Sequence, residues 1–245
     1  MKYLIFSDIH GNLEAFKKLL SLKQIKNIDK MLFLGDLVGY GPDPDEVINL
    51  FKELKNVYYI RGNHDKVISD LESSSMFNPI AQFSAEWSKS NIGGKNKGFL
   101  RKFPKGPMVI DSFITICHGS NFDEDYYVFS PYEALESLKF MTTSIGFFGH
   151  THFPIMYMYR NKKINSVALE SNKTIKLDVN TRYLINPGSI GQPRDRNPDP
   201  SFIIFDSDKK VIKYYRFKYD YKLTQKKIRE NGIPEPLAAR LESGI

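Results

Sequence analysis

Tyr3-Leu4-Ile5-Phe6-Ser7-Asp8-Ile9-His10-Gly11-Asn12 is an apolar run of strand length that ends on chemically capable polar residues, and the chain repeats this grammar. Met31 to Leu34 runs into Gly35 and Asp36, and Val57 to Ile60 runs into Gly62 and Asn63. Farther on, Phe113 to Ile116 precedes His118, Ile145 to Phe148 precedes Gly149 and His150, and Tyr183 to Ile185 precedes Asn186. Continuous rather than alternating apolar runs fit strands covered on both faces. Between them, Leu13, Phe16, Leu19 and Leu20 have the i, i+3, i+4 spacing of a helix capped by Asn12, and Val47, Ile48, Phe51 and Leu54 repeat it after Pro44 and Asp45. Strand, helix, strand, helix, strand opens a parallel α/β fold. Ligands in such folds bind beyond the carboxyl ends of the strands, where these polar residues sit.

From Phe153 onward the pattern changes to short alternating strands at 155–160, 174–178, 202–205 and 211–219, so a second, mixed or antiparallel sheet is expected there. No repeat or linker divides the 245 residues, and one domain over 1–245 is expected. Residues 66–106 read as an insertion with helical patterns and Trp87. Its stretch Asn91 to Gly98 looks flexible, and the insertion as a whole can wall the site and select substrates. Residues 233–245 read as a terminal helix without chemistry.

Hydrophobic residues at 41% supply a packed core, and charged residues at 26% are ordinary for a soluble protein. The net charge of +7 suits an anionic substrate without itself indicating nucleic acid. Residues 209–229 carry nine Lys or Arg among aromatics, which reads as a late or edge strand guarded by lysines rather than a single-strand-binding surface. Cys117 is the only cysteine, which excludes an intramolecular disulfide and a thiolate zinc site and fits a reducing compartment. The first apolar run is too short for a signal peptide, and none approaches the ~18 residues of a membrane span. A cytoplasmic protein with no membrane association is expected.

All five histidines, His10, His64, His118, His150 and His152, lie at the ends of apolar runs beside Gly, Asp or Asn. Histidine is the commonest metal ligand. In extended chain, residues i and i+2 point the same way, so Asp8 and His10 can converge on one ion and His150 and His152 can share a face. Asp36 can bridge two ions, and Asn63 and His118 close two further strands. Two divalent ions carry +4, Asp8 and Asp36 remove two, and the surplus attracts a phosphoryl group and lowers the pKa of a bridging water to give hydroxide near neutral pH. His64 follows Asn63 directly and so faces elsewhere. It is positioned to protonate a departing alkoxide. Arg194 and Arg61 offer planar forks of donors to phosphate, with Arg194 favoured by its Gly-rich loop and Tyr40 of similar standing. Asp65 reads as a first-turn helix acid.

The segments Asp8-Ile9-His10, Gly35-Asp36, Gly62-Asn63-His64-Asp65, His118-Gly119 and Gly149-His150-Thr151-His152, in this order, resemble the motif blocks of the calcineurin-like metallophosphoesterase family. Asn186 to Arg194 resembles the loop that closes the core in small prokaryotic members. The resemblance implies an α/β fold of two packed mixed β-sheets with helices on both outer faces. It implies one ion at Asp8, His10, Asp36 and His152, the other at Asp36, Asn63, His118 and His150, and His64 as proton donor. Manganese or iron are the implied ions, while oxygen and imidazole ligands also admit zinc, cobalt and nickel.

One departure bears on substrate. Serine/threonine phosphatases of the family follow Gly-Asp with an Asp-Arg pair, where this chain has Gly39 and Tyr40. The form Gly39-Tyr40-Gly41-Pro42 is more similar to phosphodiesterase and dinucleoside-polyphosphate hydrolase members. The expected activity is metal-dependent hydrolysis of a small phosphomonoester, phosphodiester or nucleotide. Hydrolysis of diadenosine tetraphosphate is the first rival, phosphoprotein hydrolysis ranks below it, and a metal-free binding scaffold would need lost ligands.

Overall fold

The first strand, β1 (Lys2–Phe6), sends Tyr3 and Ile5 into one apolar layer and Leu4 and Phe6 into another, and all four are fully buried. That two-sided burial is the origin of the continuous apolar run. A computed structural model describes residues 1–245. After β1 come α1 (Leu13–Leu20), β2 (Lys30–Phe33), α2 (Pro44–Lys52), β3 (Val57–Tyr59) and α3 (Asn63–Ile68). The insertion holds α4 (Pro79–Asn91) and α5 (Gly94–Leu100). Next are β4 (Met108–Ile110), β5 (Ile114–Ile116), α6 (Pro131–Lys139) and β6 (Ile145–Phe147). The remaining strands are β7 (Ile155–Arg160), β8 (Lys163–Ala168), β9 (Thr174–Lys176), β10 (Arg182–Asn186), β11 (Ser201–Asp206) and β12 (Val211–Arg216), followed by α7 (Tyr221–Glu230) and α8 (Glu235–Ser243).

The strands form two mixed sheets of six, in the orders β3-β2-β1-β11-β12-β9 and β4-β5-β6-β10-β7-β8. Tyr3, Ile5, Ile116, Phe147, Ile185 and Phe205 fill the layer between the sheets. Leu4, Phe6 and Phe33 pack outward on Phe16, Leu19, Val47 and Phe51 of α1 and α2. Leu184 and Tyr157 of the other sheet pack on Ala134 and Leu138 of α6. Burial of each such side chain contributes roughly 1.5–3 kcal/mol, so the sandwich rests on these three layers.

The later strands correct an expectation: they build no sheet of their own. β11 pairs antiparallel with β1, with Tyr3 opposite Phe205 and Ile5 opposite Ile203, so its inward residues enter a layer that β1 already lines. β12 and β9 extend that same sheet, while β10, β7 and β8 complete the other. β12 is not an edge strand, because β9 pairs with its first half and takes the edge. β8 escaped the sequence pattern because its residues are almost all exposed and present no apolar run.

Within the insertion, Asn91 to Gly98 differs from its reading as flexible. The Gly93 N–H donates to the Asp45 carboxylate at 2.9 Å, and the Asn96 amide donates to Asp45 at 2.8 Å and to Asn49 at 3.1 Å, which fastens the segment to α2. The C-terminal helices form a hairpin whose Ile228, Leu237 and Leu241 pack with Tyr40, Ile80 and Trp87. Lys227 bonds to Glu14 at 2.5 Å and to Asp43 at 2.9 Å, holding the hairpin against the start of the fold. No helix is long and apolar enough to cross a membrane.

Candidate metal centre

The carboxyl ends of β1, β2, β5 and β6 open onto one place, and the turns that leave them are unusual. Asp8, His10, Asp36, Tyr40, His150 and His152 all have positive φ, between 49° and 66°. Asp and His tolerate this region better than most residues, yet each such position costs on the order of 1–3 kcal/mol and persists only where the surroundings impose it. Neighbouring backbone does so here: the Asp8 N–H donates to Gly35 O, the His10 N–H to Asp36 O, and the Gly191 N–H to Asp8 O. The i, i+2 pairs therefore lie on tight left-handed turns, not in extended chain. His150 and His152 do not share a face but point into two different clusters.

Asp8, His10, Asp36 and His152 form one group and Asp36, His118 and His150 the other, and all of these side chains are buried. Asp36 Oδ2 lies 3.6 Å from His10 Nε2 and 3.4 Å from His118 Nε2, so one carboxylate oxygen faces both. Asn63, the first residue of α3, places Oδ1 at 3.1 Å from His118 Nε2. The Asp36 turn is held by Asp65, whose carboxylate accepts the N–H groups of Asp36 and Leu37 at 2.9 Å and of Gly62 at 3.0 Å. Asp65 is thus a helix acid, as its position suggests, and also the anchor of the neighbouring loop.

The hydrogen bonds around the rings decide what the cluster can bind. The Nδ1 atoms of His10, His118 and His152 lie 3.2, 2.8 and 2.6 Å from the carbonyls of Val38, Leu34 and Gln192, and a carbonyl only accepts. Each Nδ1 then carries a proton, and each Nε2 points inward and offers its lone pair when the ring is neutral. His150 is reversed, with Nε2 at 3.1 Å from Asp125 O, which turns its Nδ1 inward. Lone pairs thus confront one another at His10 and His152 (3.0 Å), His118 Nε2 faces the Asn63 side-chain oxygen at 3.1 Å, and Asp8 Oδ2 is buried without a hydrogen-bond partner. Buried acceptors crowded together, with only the displaceable His118 proton among them, fit divalent cations.

In the ion-free protein these groups are strongly perturbed. Burial pushes Asp8 up to about 7 and holds His10, His150 and His152 well below the usual imidazole range. Burial would also lower His118, but the Asp36 carboxylate raises it to about 10. Burial opposes ionisation of Asp36 as well, and the charge on His118 nevertheless holds it well below the usual carboxylate range.

His64 belongs to neither group but lies beside the first. Its ring packs against Tyr40 at 4.4 Å, Phe77 at 4.7 Å and His10 at 4.9 Å, and its Nδ1 is buried with no partner. Burial lowers it to about 4. Gly39, at φ +94°, lets this ring approach, since a Cβ there would run into His64 Nδ1. Tyr40 carries Arg194 over its ring at 5.6 Å. Arg61 does not reach the site, because Glu124 engages it in a two-point ion pair at 2.8 and 3.0 Å. Cys117 is buried in the apolar layer under α6, and its thiol meets only the backbone carbonyls of Gly119 and Phe147. Tyr127, which no motif singles out, stacks on His150 at 3.8 Å.

Two mixed sheets whose strand ends gather Asp, Asn and His into adjoining cation-binding groups define a metal-dependent phosphoester hydrolase. The chain belongs to the calcineurin-like phosphoesterase family, whose sequence profile matches residues 1–154. An uncharacterized protein of Methanocaldococcus jannaschii is 36% identical over 98% of this chain and 97% of its own. Phosphodiesterase YfcE of Escherichia coli is 26% identical over 85% of this chain and 89% of its own. The crystal structure of a metallophosphoesterase from Sphaerobacter thermophilus superposes with a TM-score of 0.86 at 33% identity, covering 100% of this chain and 99% of that one.

Proposed function

We propose that this enzyme hydrolyses phosphodiesters, and phosphomonoesters less selectively, using two divalent ions. Asp8, His10, Asp36 and His152 hold one ion, and Asp36, Asn63, His118 and His150 the other. The observation that carries this reading is the set of inward lone pairs, fixed by carbonyl acceptors behind the rings of His10, His118 and His152. When bound, such ions supply Lewis acidity toward a phosphoryl oxygen and lower the pKa of a coordinated water. The likeness to a phosphodiesterase supports the substrate class, and the oxygen-and-imidazole donor set suits manganese.

The chain's own residues divide the remaining work. Asp36 faces both groups and fixes their separation, and Asp65 holds the Asp36 turn through three N–H donors. His64 gives a proton to the leaving oxygen, where the negative charge gathering on that oxygen offsets the burial that lowers the free ring to about 4. It lies beside the clusters against Tyr40 and Phe77 in the wall of a cavity that also exposes Asn63 and His150. Arg194, with Tyr40 beneath it, faces the substrate phosphate. The lone buried thiol and the absence of a long apolar helix suit work in a reducing cytoplasm.

Purified protein loaded with manganese is expected to retain about two ions per chain and to cleave bis(4-nitrophenyl) phosphate. Protein that binds no divalent ion and cleaves no phosphoester would refute the proposal.

A further inference from the structure

Five guanidiniums in this chain are partly buried, two of them meet an acid, and Arg182 meets the Met141 carbonyl. Arg216 pairs with Asp195 and Arg61 with Glu124. Arg194 and Arg240 do not. Arg194 directs Nε and Nη2 to the Gln192 side-chain oxygen at 3.3 and 2.9 Å, and Arg240 directs Nη1 to that same oxygen at 3.3 Å. Two positive groups, both only partly exposed, share one neutral acceptor. Asp195, the adjacent acid in sequence, is engaged by Arg216. The Tyr40 ring offers Arg194 a π face but no counter-charge. Burial, and to a smaller extent the nearby Arg194 charge, holds Arg240 below the ordinary arginine value.

The pair adjoins the metal centre. Gln192, whose side chain bridges the arginines, accepts the His152 Nδ1–H on its own carbonyl at 2.6 Å. Tyr40, beneath Arg194, packs on His10 at 4.7 Å and on His64 at 4.4 Å. Arg240 is held in place by the hairpin of α7 and α8, where Leu237, Ala238 and Leu241 on either side of it are buried. Planar guanidiniums lacking an acid partner beside a phosphoester site suit bidentate capture of phosphate oxygens.

We infer that Arg194 and Arg240 form a subsite for a second phosphate of the substrate, so that the preferred substrate is a polyphosphate ester, with the scissile phosphate at the metal centre and a neighbouring phosphate of the same chain on the arginines. The inference rests on the proposed hydrolysis and names its substrate class. Arg240 is a specificity residue, contributed by a terminal helix whose sequence pattern carries no sign of it.

Two measurements test it. In the first, inorganic pyrophosphate is titrated calorimetrically into protein stripped of metal by chelation, so that only side chains can bind it. Wild type is expected to bind, and Arg240→Gln to bind roughly tenfold more weakly, as for loss of a charged hydrogen bond. Arg240→Lys, which keeps the charge, is expected to fall between them. Thermal melting reports whether each variant is folded, and an unfolded Arg240→Gln leaves Arg240→Lys and Arg194→Gln to decide. In the second, manganese-loaded wild type and Arg240→Gln are compared on diadenosine tetraphosphate and on bis(4-nitrophenyl) phosphate. The ratio of kcat/KM for the first over the second is expected to fall roughly tenfold in the variant. Wild-type protein that binds no pyrophosphate, or variants that bind it equally, would overturn the inference. An unchanged ratio in an active enzyme would do so too. If wild type cleaves neither ester, the proposed hydrolysis fails, while the pyrophosphate titration still decides whether the arginines bind phosphate.

Discussion

His10 and His152, 142 residues apart in sequence, point Nε2 at Nε2 across 3.0 Å while a backbone carbonyl holds the opposite nitrogen of each ring. Neither ring can rotate away without abandoning its carbonyl, so the pair is prepared for a cation before one arrives. Removing one member should remove one ion, not both. His152→Ala is expected to lower the metal content from about two to about one per chain, read by elemental analysis after dialysis. Retention of both ions would show that His152 holds neither.

Ion uptake should expel protons. Ligation requires Asp8 as carboxylate and His118 as neutral imidazole, whereas burial lifts Asp8 to about 7 and the Asp36 carboxylate lifts His118 to about 10 in the ion-free protein. Both groups therefore bind protons at about pH 6 that the ion must displace, and apparent affinity rises with pH as fewer protons remain to be displaced. Calorimetric titration of chelator-stripped protein with manganese at about pH 6 and about pH 8 is expected to show tighter binding and smaller proton release at the higher pH. Affinity that is flat or falls with pH would contradict this.

His64 belongs to the proton step and not to ion binding. His64→Gln should lower turnover by roughly 10² to 10⁴ with metal content unchanged. Gly39→Ala tests the same ring from its other side. The added Cβ would collide with His64 Nδ1, and alanine would have to adopt φ +94°. A loss of about 1–3 kcal/mol in stability is expected, together with a fall in turnover on the order of 10² from displacing the ring. Full activity in Gly39→Ala would mean that the position of the ring does not matter.

The paired carboxylate and imidazoles were legible because every one follows an apolar run, and a strand that ends on Asp or His advertises itself. Their geometry was less legible. The i, i+2 spacing of Asp8 with His10 suggests extended chain, but both sit at positive φ, a conformation imposed by distant partners such as Gly35, Asp36 and Gly191. The sheet to which β11 belongs was hidden for a similar reason: alternation reveals a strand, but the pairing of Ile5 with Ile203 is a long-range choice. Arg240 was invisible, since nothing local distinguishes an arginine without an acid partner from one that has found its carboxylate.

Substrate choice should reside in residues 72–81 and not in Asn91 to Gly98. A cavity of about 270 Å³ opens from the metal centre, lined by Asn63, His64 and His150 on one side and by Ser73, Met76, Phe77 and Asn78 on the other. Met76 is 87% exposed at its rim, and Phe77 lies 4.7 Å from the His64 ring. Asn91 to Gly98 lines none of it and bonds instead to Asp45 and Asn49 of α2. Phe77→Ala would widen the cavity beside the leaving oxygen. It should therefore change the ratio of kcat/KM between bulky and small phosphodiesters by more than it changes metal content. Deleting Asn91 to Gly98 should instead lower the melting temperature, because the hydrogen bonds to Asp45 and Asn49 are lost, each contributing about 0.5–1.5 kcal/mol, or more to a charged acceptor. The substrate ratio should stay constant in the surviving folded protein. A deletion that reorders substrate preference while Phe77→Ala leaves it untouched would reverse the assignment of the two segments.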